Sequence, residues 1–286
     1  MARRPSRPPN RPTPAPDRAP IAFNFEAIAS MPAPAPFLEA AAGLGIEFEP
    51  GDVEKLGRFL AMLLNANEHA LNLTAITEPA QAWERHILDS LTLLPLLSEQ
   101  QEGAWVLDVG SGGGLPGIPL AITMPHLRFT LLEATGKKVE YLRAVIAALQ
   151  LENVTVLPGR AEKVAHDRGT HAERTSRQSG ARIGHREVYD VVTARAVGRI
   201  ATLAELTVPF ARADGGLVML IKGQKADEEL EEAKEALHQL KAVHAATVNT
   251  PTGRIVVLEK RSATPKIYPR ADGEPARSPL GVKKSR

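Results

Sequence analysis

The chain of 286 residues contains no cysteine. That excludes disulfides, thiolate zinc sites and cysteine nucleophiles, and it suits a cytoplasmic protein. No run of about 18 apolar residues occurs, so no membrane span is expected. The N-terminal segment is basic, but it is rich in proline where a secretory signal would be apolar. A formal net charge of +2 is too small to name an acidic partner by itself, although the basic residues are unevenly placed. What is present is 43% hydrophobic residues, enough for a real core. The length suits one large domain or two small ones.

Residues 1–36 hold ten of the 23 prolines, with Arg3, Arg4, Arg7, Arg11 and Arg18. They lack a periodic apolar face to offset the entropy of ordering, so a disordered tail is expected. Residues 262–286, with Lys266, Arg270, Arg277, Lys283, Lys284 and Arg286, read as a second disordered basic tail. Solvated tails that aid solubility explain both, and electrostatic contact with nucleic acid is the other reading. Between them, 37–261 reads as one domain, with N-terminal helices over 37–100 and a Rossmann-like core over 101–261. Val53, Leu56, Leu60, Leu63 and Leu64 recur at helical spacing, and a second helical stretch, 82–97, breaks near Pro95.

From Trp105 strands and helices alternate. Strands are expected at 105–109, 128–133, 154–157, 189–194, 216–222, 242–249 and 254–260, and helices at 137–150, 199–210 and 226–240. This is an α/β doubly wound sheet of seven strands, closing in an antiparallel hairpin through Thr250-Pro251-Thr252-Gly253. Residues 166–187 carry five arginines and three histidines with almost no apolar residue, and read as a disordered insertion. Histidines that no strand or helix orients are not read as a metal site, and no metal is expected elsewhere. The insertion is a passive loop or an RNA contact.

The most informative stretch is 105–119, Trp-Val-Leu-Asp-Val-Gly-Ser-Gly-Gly-Gly-Leu-Pro-Gly-Ile-Pro. A buried strand runs into a glycine loop and then a helix, where backbone must turn tightly or approach a ligand. Asp108-x-Gly110-x-Gly112-x-Gly114 is the pattern with which Rossmann methyltransferases seat S-adenosylmethionine (SAM). Gly112-x-Gly114-x-x-Gly117 also fits a dinucleotide fingerprint, in a register that starts two residues late. Glu133 ends the next strand, where a carboxylate meets ribose hydroxyls. Ala161 is placed to offer a backbone amide to adenine, and Glu162 to hold the base edge. The fourth strand ends on Arg195, with no carboxylate or amide for an amine substrate. Guanine N7 has a lone pair and no proton, so it needs no general base. Arg195 is then a partner for guanine O6, phosphate or the SAM carboxylate, or else part of a buried ion pair. Lys222, ending the fifth strand, is expected to meet an RNA phosphate. His86 reads as a packing histidine, with a ligand contact or a general base as the alternative.

Several segments together resemble the RsmG/GidB methyltransferases. They are Asn72-Leu73-Thr74, Arg85-His86-Ile87-Leu88-Asp89-Ser90, the glycine segment 108–120, Leu131-Leu132-Glu133 with Gly136-Lys137-Lys138, Arg160-Ala161-Glu162, Ala194-Arg195-Ala196 and Leu220-Ile221-Lys222-Gly223. The resemblance spans roughly 45–262 and makes 37–261 a methyltransferase domain. It implies SAM as cofactor, S-adenosylhomocysteine as product, and N7 methylation of guanine 527 in 16S ribosomal RNA, free or within the 30S subunit, by a monomer. It places cofactor contacts on Gly110, Leu115, Ala161, Glu162 and Arg195, to which the residues themselves add Gly112 and Glu133. Arg195 and Lys222 are the catalytic candidates. Two alternatives stand at this point, a NAD-binding oxidoreductase and a non-catalytic RNA-binding protein.

Overall fold

The computed structural model describes residues 23–169, 184–195 and 198–282. Two helices come first, α1 (Ala35–Gly43) and α2 (Asp52–Ala66). The latter buries Leu56, Leu60 and Leu63, and runs on as a wider π turn over Asn67–Leu71. Then comes α3 (79–91), in which Pro79–Ala82, a π-type segment Trp83–Leu88, and Asp89–Leu91 follow without a break. The Glu78 carboxylate caps its start by accepting from the amides of Ala80 and Gln81. The short α4 (Leu94–Leu97) has Pro95 in its first turn, where an amide would have no helical partner.

The remaining elements are β1 (Trp105–Val109), α5 (Gly117–Thr123), β2 (Arg128–Glu133), α6 (Gly136–Leu149), β3 (Val154–Pro158), α7 (Ala161–Val164), β4 (Val191–Arg195), α8 (Ile200–Thr207), β5 (Leu217–Lys222), α9 (Ala226–Leu240), β6 (Ala242–Thr250), β7 (Gly253–Lys260) and α10 (Glu274–Arg277). They form one seven-stranded sheet in the order β3-β2-β1-β4-β5-β7-β6. The first five strands are parallel, while β7 is antiparallel to both β5 and β6. This is the doubly wound α/β architecture the alternation predicts. β1, β4 and β5 are buried on both faces, hence their nearly unbroken apolar runs. One face packs on the N-terminal helices and α6, with Leu56, Phe59, Phe129, Leu131 and Tyr141 in that core. The other packs on α8 and α9 through Val192, Val218, Leu220, Ala204 and Leu237. No helix among the described residues is long and apolar enough to cross a membrane.

The structure corrects the expected tail boundaries. Residues 1–22 lie outside the described residues, but 23–36 pack on the domain. Phe25 is buried and meets Tyr141 edge-on at 6.1 Å. Ser30 Oγ donates to the Glu54 carbonyl at 2.8 Å. The chain crosses α2 so closely that a Cβ at Gly57 would stand 2.2 Å from the Met31 carbonyl oxygen. Residues 262–282 are likewise packed, with Tyr268 and Leu280 buried, and 283–286 lie outside the described residues.

The insertion narrows too. Its centre, 170–183 with His171, lies outside the described residues, but both of its ends are built in. His166 Nε2 is 2.8 Å from the Pro269 carbonyl oxygen, and His185 Nδ1 is 2.8 Å from the Tyr189 hydroxyl. Buried Arg186 donates to the carbonyls of Ala165, Thr264, Pro265 and Tyr268 at 2.8–3.1 Å. These anchors are polar contacts, mostly to backbone, so they leave no apolar periodicity to read.

Phe25→Ala should lower stability by about 3 kcal/mol, the usual cost of emptying an aromatic core site. Denaturant unfolding measures this. An unchanged midpoint would mean that the segment before α1 is not part of the core.

Candidate active site

Parallel pairing sets the carboxyl ends of the central strands side by side. Val109 pairs with Leu132, Glu133 with Pro158 and Arg195 with Ile221. In an open α/β sheet that edge is where ligands bind. A cleft of about 200 Å³ lies there, lined among others by Gly110, Glu133, Ala161, Glu162, Ala194 and Leu203. A larger groove of about 810 Å³ lies at the opposite edge, around Trp105, Arg128 and Thr155 at the amino ends of β1–β3. By that rule the smaller cleft is the candidate site.

The glycine loop forms the cleft floor. Gly110 has φ +74°, a left-handed conformation natural to glycine, and a Cβ there would meet no atom within 4 Å. A side chain would project into the open space that a ligand needs. Buried Glu133 holds this loop to β2. Its Oε2 accepts from the Gly112 amide at 3.0 Å, and its Oε1 from the Thr135 amide at 2.7 Å. Gly112 thus shapes the loop without lining the cleft. Leu115 is buried in the core beneath it.

Beneath the loop, Asp108 is almost fully buried. It accepts from the Gly117 amide at 3.2 Å and lies 3.4 Å from Thr193 Oγ1. Burial pushes its pKa up to about 6, because water is excluded from the charged form.

Ala161 and Glu162 open α7 on the cleft wall. Glu162 Oε1 accepts from the Gly273 amide at 2.9 Å, so this carboxylate also joins the wall to the C-terminal segment.

Ala194 reaches the cleft and Arg195 turns toward α3. Arg195 Nη1 donates to the Arg85 carbonyl at 2.9 Å and to Asp89 Oδ2 at 3.4 Å. Asp89 Oδ1 accepts from Thr252 Oγ1, and Arg85 Nη1 reaches the Thr252 carbonyl at 3.3 Å. Burial opposes the charge of Arg195, and Asp89 offsets that. Asp89 lies within the Arg-His-Ile-Leu-Asp-Ser segment, yet its pairing with a residue more than a hundred positions away gives no local signal. His86 is buried, 2.7 Å from Thr74 Oγ1. Burial, reinforced by Arg195, lowers its pKa to about 4. It is a neutral packing residue and a poor general base near pH 7.

Lys222 departs from expectation. Its ammonium is buried, 2.8 Å from Glu229 Oε2, and donates to the Gly198 carbonyl. Glu229 also accepts from the Ile200 amide at 3.1 Å. Lys222 therefore fixes the connection from β4 to α8, and its charge is neutralised within the protein. An apolar strand ending in lysine suggests a surface cation, and the acid one turn into α9 was not anticipated as its partner.

Fold and edge together define a doubly wound α/β protein with a nucleotide-type cleft at its carboxyl edge. The family described as rRNA small subunit methyltransferase G (GidB) matches residues 52–256. The ribosomal RNA small subunit methyltransferase G of Sorangium cellulosum (strain So ce56) is 49% identical over 236 residues, 82% of this chain and 91% of that protein. The protein of the same name from Lactococcus lactis subsp. cremoris (strain MG1363) is 36% identical over 254 residues, 86% and 99% of the two chains. A SAM dependent methyltransferase from Aquifex aeolicus is similar in structure at TM-score 0.45 and 17% identity, over 64% of this chain and 93% of that one. The chain belongs to the rRNA small subunit methyltransferase G family.

Folding raises the Asp108 pKa from 3.8 to about 6, so the folded state holds this proton more tightly than the unfolded chain. The stability this group contributes is full below pH 3.8 and is lost as pH rises through about 6. Asp108→Asn keeps an acceptor for Gly117 without the charge. Relative to wild type the variant should gain about 3 kcal/mol between acid and neutral pH. Urea unfolding across that range tests this, and a difference independent of pH would refute it.

Proposed function

We propose that this protein methylates N7 of guanine 527 in 16S ribosomal RNA, using SAM as methyl donor. The observation that carries the reading is the cleft itself, where Gly110, Glu133, Ala161 and Glu162 line one cavity at the carboxyl edge. The residues fit SAM. The open space above Gly110 is where a Cβ would intrude, and Glu133 presents a buried carboxylate suited to a ribose diol.

When bound, SAM supplies an electrophilic methyl, which guanine N7 accepts through a lone pair without losing a proton. The protein's own groups agree with a reaction that needs no base. Asp108 is buried and hydrogen-bonded under the loop, Asp89 is engaged by Arg195 and Thr252, and His86 is held neutral. What the chain supplies is orientation, which contributes roughly 7–11 kcal/mol when reacting groups are well aligned. Arg195, next to the cleft-lining Ala194 and fixed by two partners on α3, orients guanine O6 or a phosphate through its planar fork. Arg85 is exposed beside it and takes the RNA-facing place first assigned to Lys222. A guanine in an RNA loop can be unstacked to reach such a cleft.

Calorimetry with SAM, S-adenosylhomocysteine and NADH, followed by mapping of N7-methylguanine in 16S RNA from a strain lacking the protein, tests this reading. The expected result is binding of the first two and loss of one methylated guanine. NADH binding without response to SAM would establish the oxidoreductase alternative, and an unmethylated target bound by the protein would establish a non-catalytic binder.

Arg195→Ala should reduce tritiated methyl transfer to 30S particles by about 100-fold, the scale of a misplaced reacting group. Arg195→Lys should restore it in part, keeping charge but not the fork. Near wild-type turnover in a folded alanine variant would remove Arg195 from the site.

A further inference from the structure

Two walls of the cleft are held from behind by one segment, 262–282, which lies beyond the residues matched by the family. The first wall is the turn into α7. Glu162 Oε1 accepts from the Gly273 amide at 2.9 Å. Asp272 Oδ2 lies 3.2 Å from Lys163 Nζ and 3.7 Å from Arg160 Nε. The second wall is α8, whose Leu203 and Thr207 line the cleft. Between them Glu205 is fully buried, where Arg270 meets it through its amide at 2.8 Å, Nε at 2.9 Å and Nη2 at 2.6 Å. On the same helix Thr202 Oγ1 donates to the Pro275 carbonyl at 3.1 Å. The segment is tied to the body by Arg186, which donates to the carbonyls of Thr264, Pro265 and Tyr268.

We propose that 262–282 is a strap that sets how the cleft reads adenine, with Asp272 and Gly273 as positioning residues acting through Arg160, Lys163 and Glu162. The inference rests on the SAM reading of the cleft. A carboxylate with one oxygen fixed has a fixed orientation. The second oxygen of Glu162 has no hydrogen bond among the described residues, and it is the acceptor for an exocyclic amine at the edge of the base. Hypoxanthine presents a carbonyl oxygen where adenine presents that amine, so a correctly held Glu162 discriminates between them, whereas a displaced one does not.

The variant that tests this is Asp272→Arg, which sets like charges against Lys163 and Arg160 at an exposed position. Binding of S-adenosylhomocysteine and its hypoxanthine analogue, S-inosylhomocysteine, is measured by calorimetry, with thermal unfolding as the control for folding. S-adenosylhomocysteine should bind about fivefold more weakly, the upper end for one exposed charge pair. The preference for adenine over hypoxanthine should shrink. Adding Lys163→Glu to the variant restores opposite charges and should restore the preference, an outcome that a general loss of stability would not produce. A folded Asp272→Arg protein with wild-type affinity and preference would overturn the strap, as would a loss that the second substitution fails to repair. Wild-type protein that bound neither nucleoside would instead overturn the SAM reading, and the strap with it.

Discussion

The cleft depends on one carboxylate. Glu133 sits at the last position of β2 and accepts from two amides, Gly112 in the loop after β1 and Thr135 at the entry to α6. The loop also meets β2 through the Leu132 carbonyl, which accepts from the amides of Gly110 and Ser111. Backbone amides in a glycine loop need acceptors once they leave the sheet ladder, and a charged acceptor is stronger than a neutral one. Glu133 satisfies two such donors at the edge of the cleft. The side chain that braces the loop therefore also lines the cleft.

A second constraint lies under the loop. Asp108 is the fourth residue of a fully buried strand, and apolar residues would suit that position better. It is tolerated because Gly117 and Thr193 meet it, joining the start of α5 to β4. The expense appears as a raised pKa. Buried polar groups of this kind fix one arrangement among several that an apolar core would accept.

The sheet was legible in the sequence because parallel strands buried on both faces announce themselves as apolar runs, and β1 and β5 begin and end close to where those runs do. The glycine loop, Glu133 and the turn at Ala161 were legible because strand ends place them on one edge. Lys222 was misplaced for a physical reason. Register tells which residue ends a strand, but the partner that neutralises it, Glu229, belongs to the next helix and is seen only after packing. The C-terminal segment was misread on the same grounds. Arg186 and Arg270 act through carbonyls and a carboxylate, and Asp272 through the cations Arg160 and Lys163, all far away in the chain, and a segment held in this way has the composition of a solvated tail. The N-terminal boundary failed more narrowly, because Phe23 and Phe25 are two aromatic anchors without periodicity.

A cleft that admits a ligand cannot be closed by gluing its walls to each other, so each wall must be held from its outer side. The protein does this mostly with charge. Glu133 holds the floor, Asp89, itself bonded by Thr252, holds Arg195 against α3, Lys222 and Glu229 hold the connection into α8, and Arg270 holds Glu205 on the same helix. Apolar packing would resist displacement only weakly along a sliding direction, whereas a hydrogen-bonded pair fixes distance and angle together. Such pairs are costly to bury unless geometry is good, and breaking one leaves the other member uncompensated. Bonded pairs therefore fix the walls, and the space between them stays open.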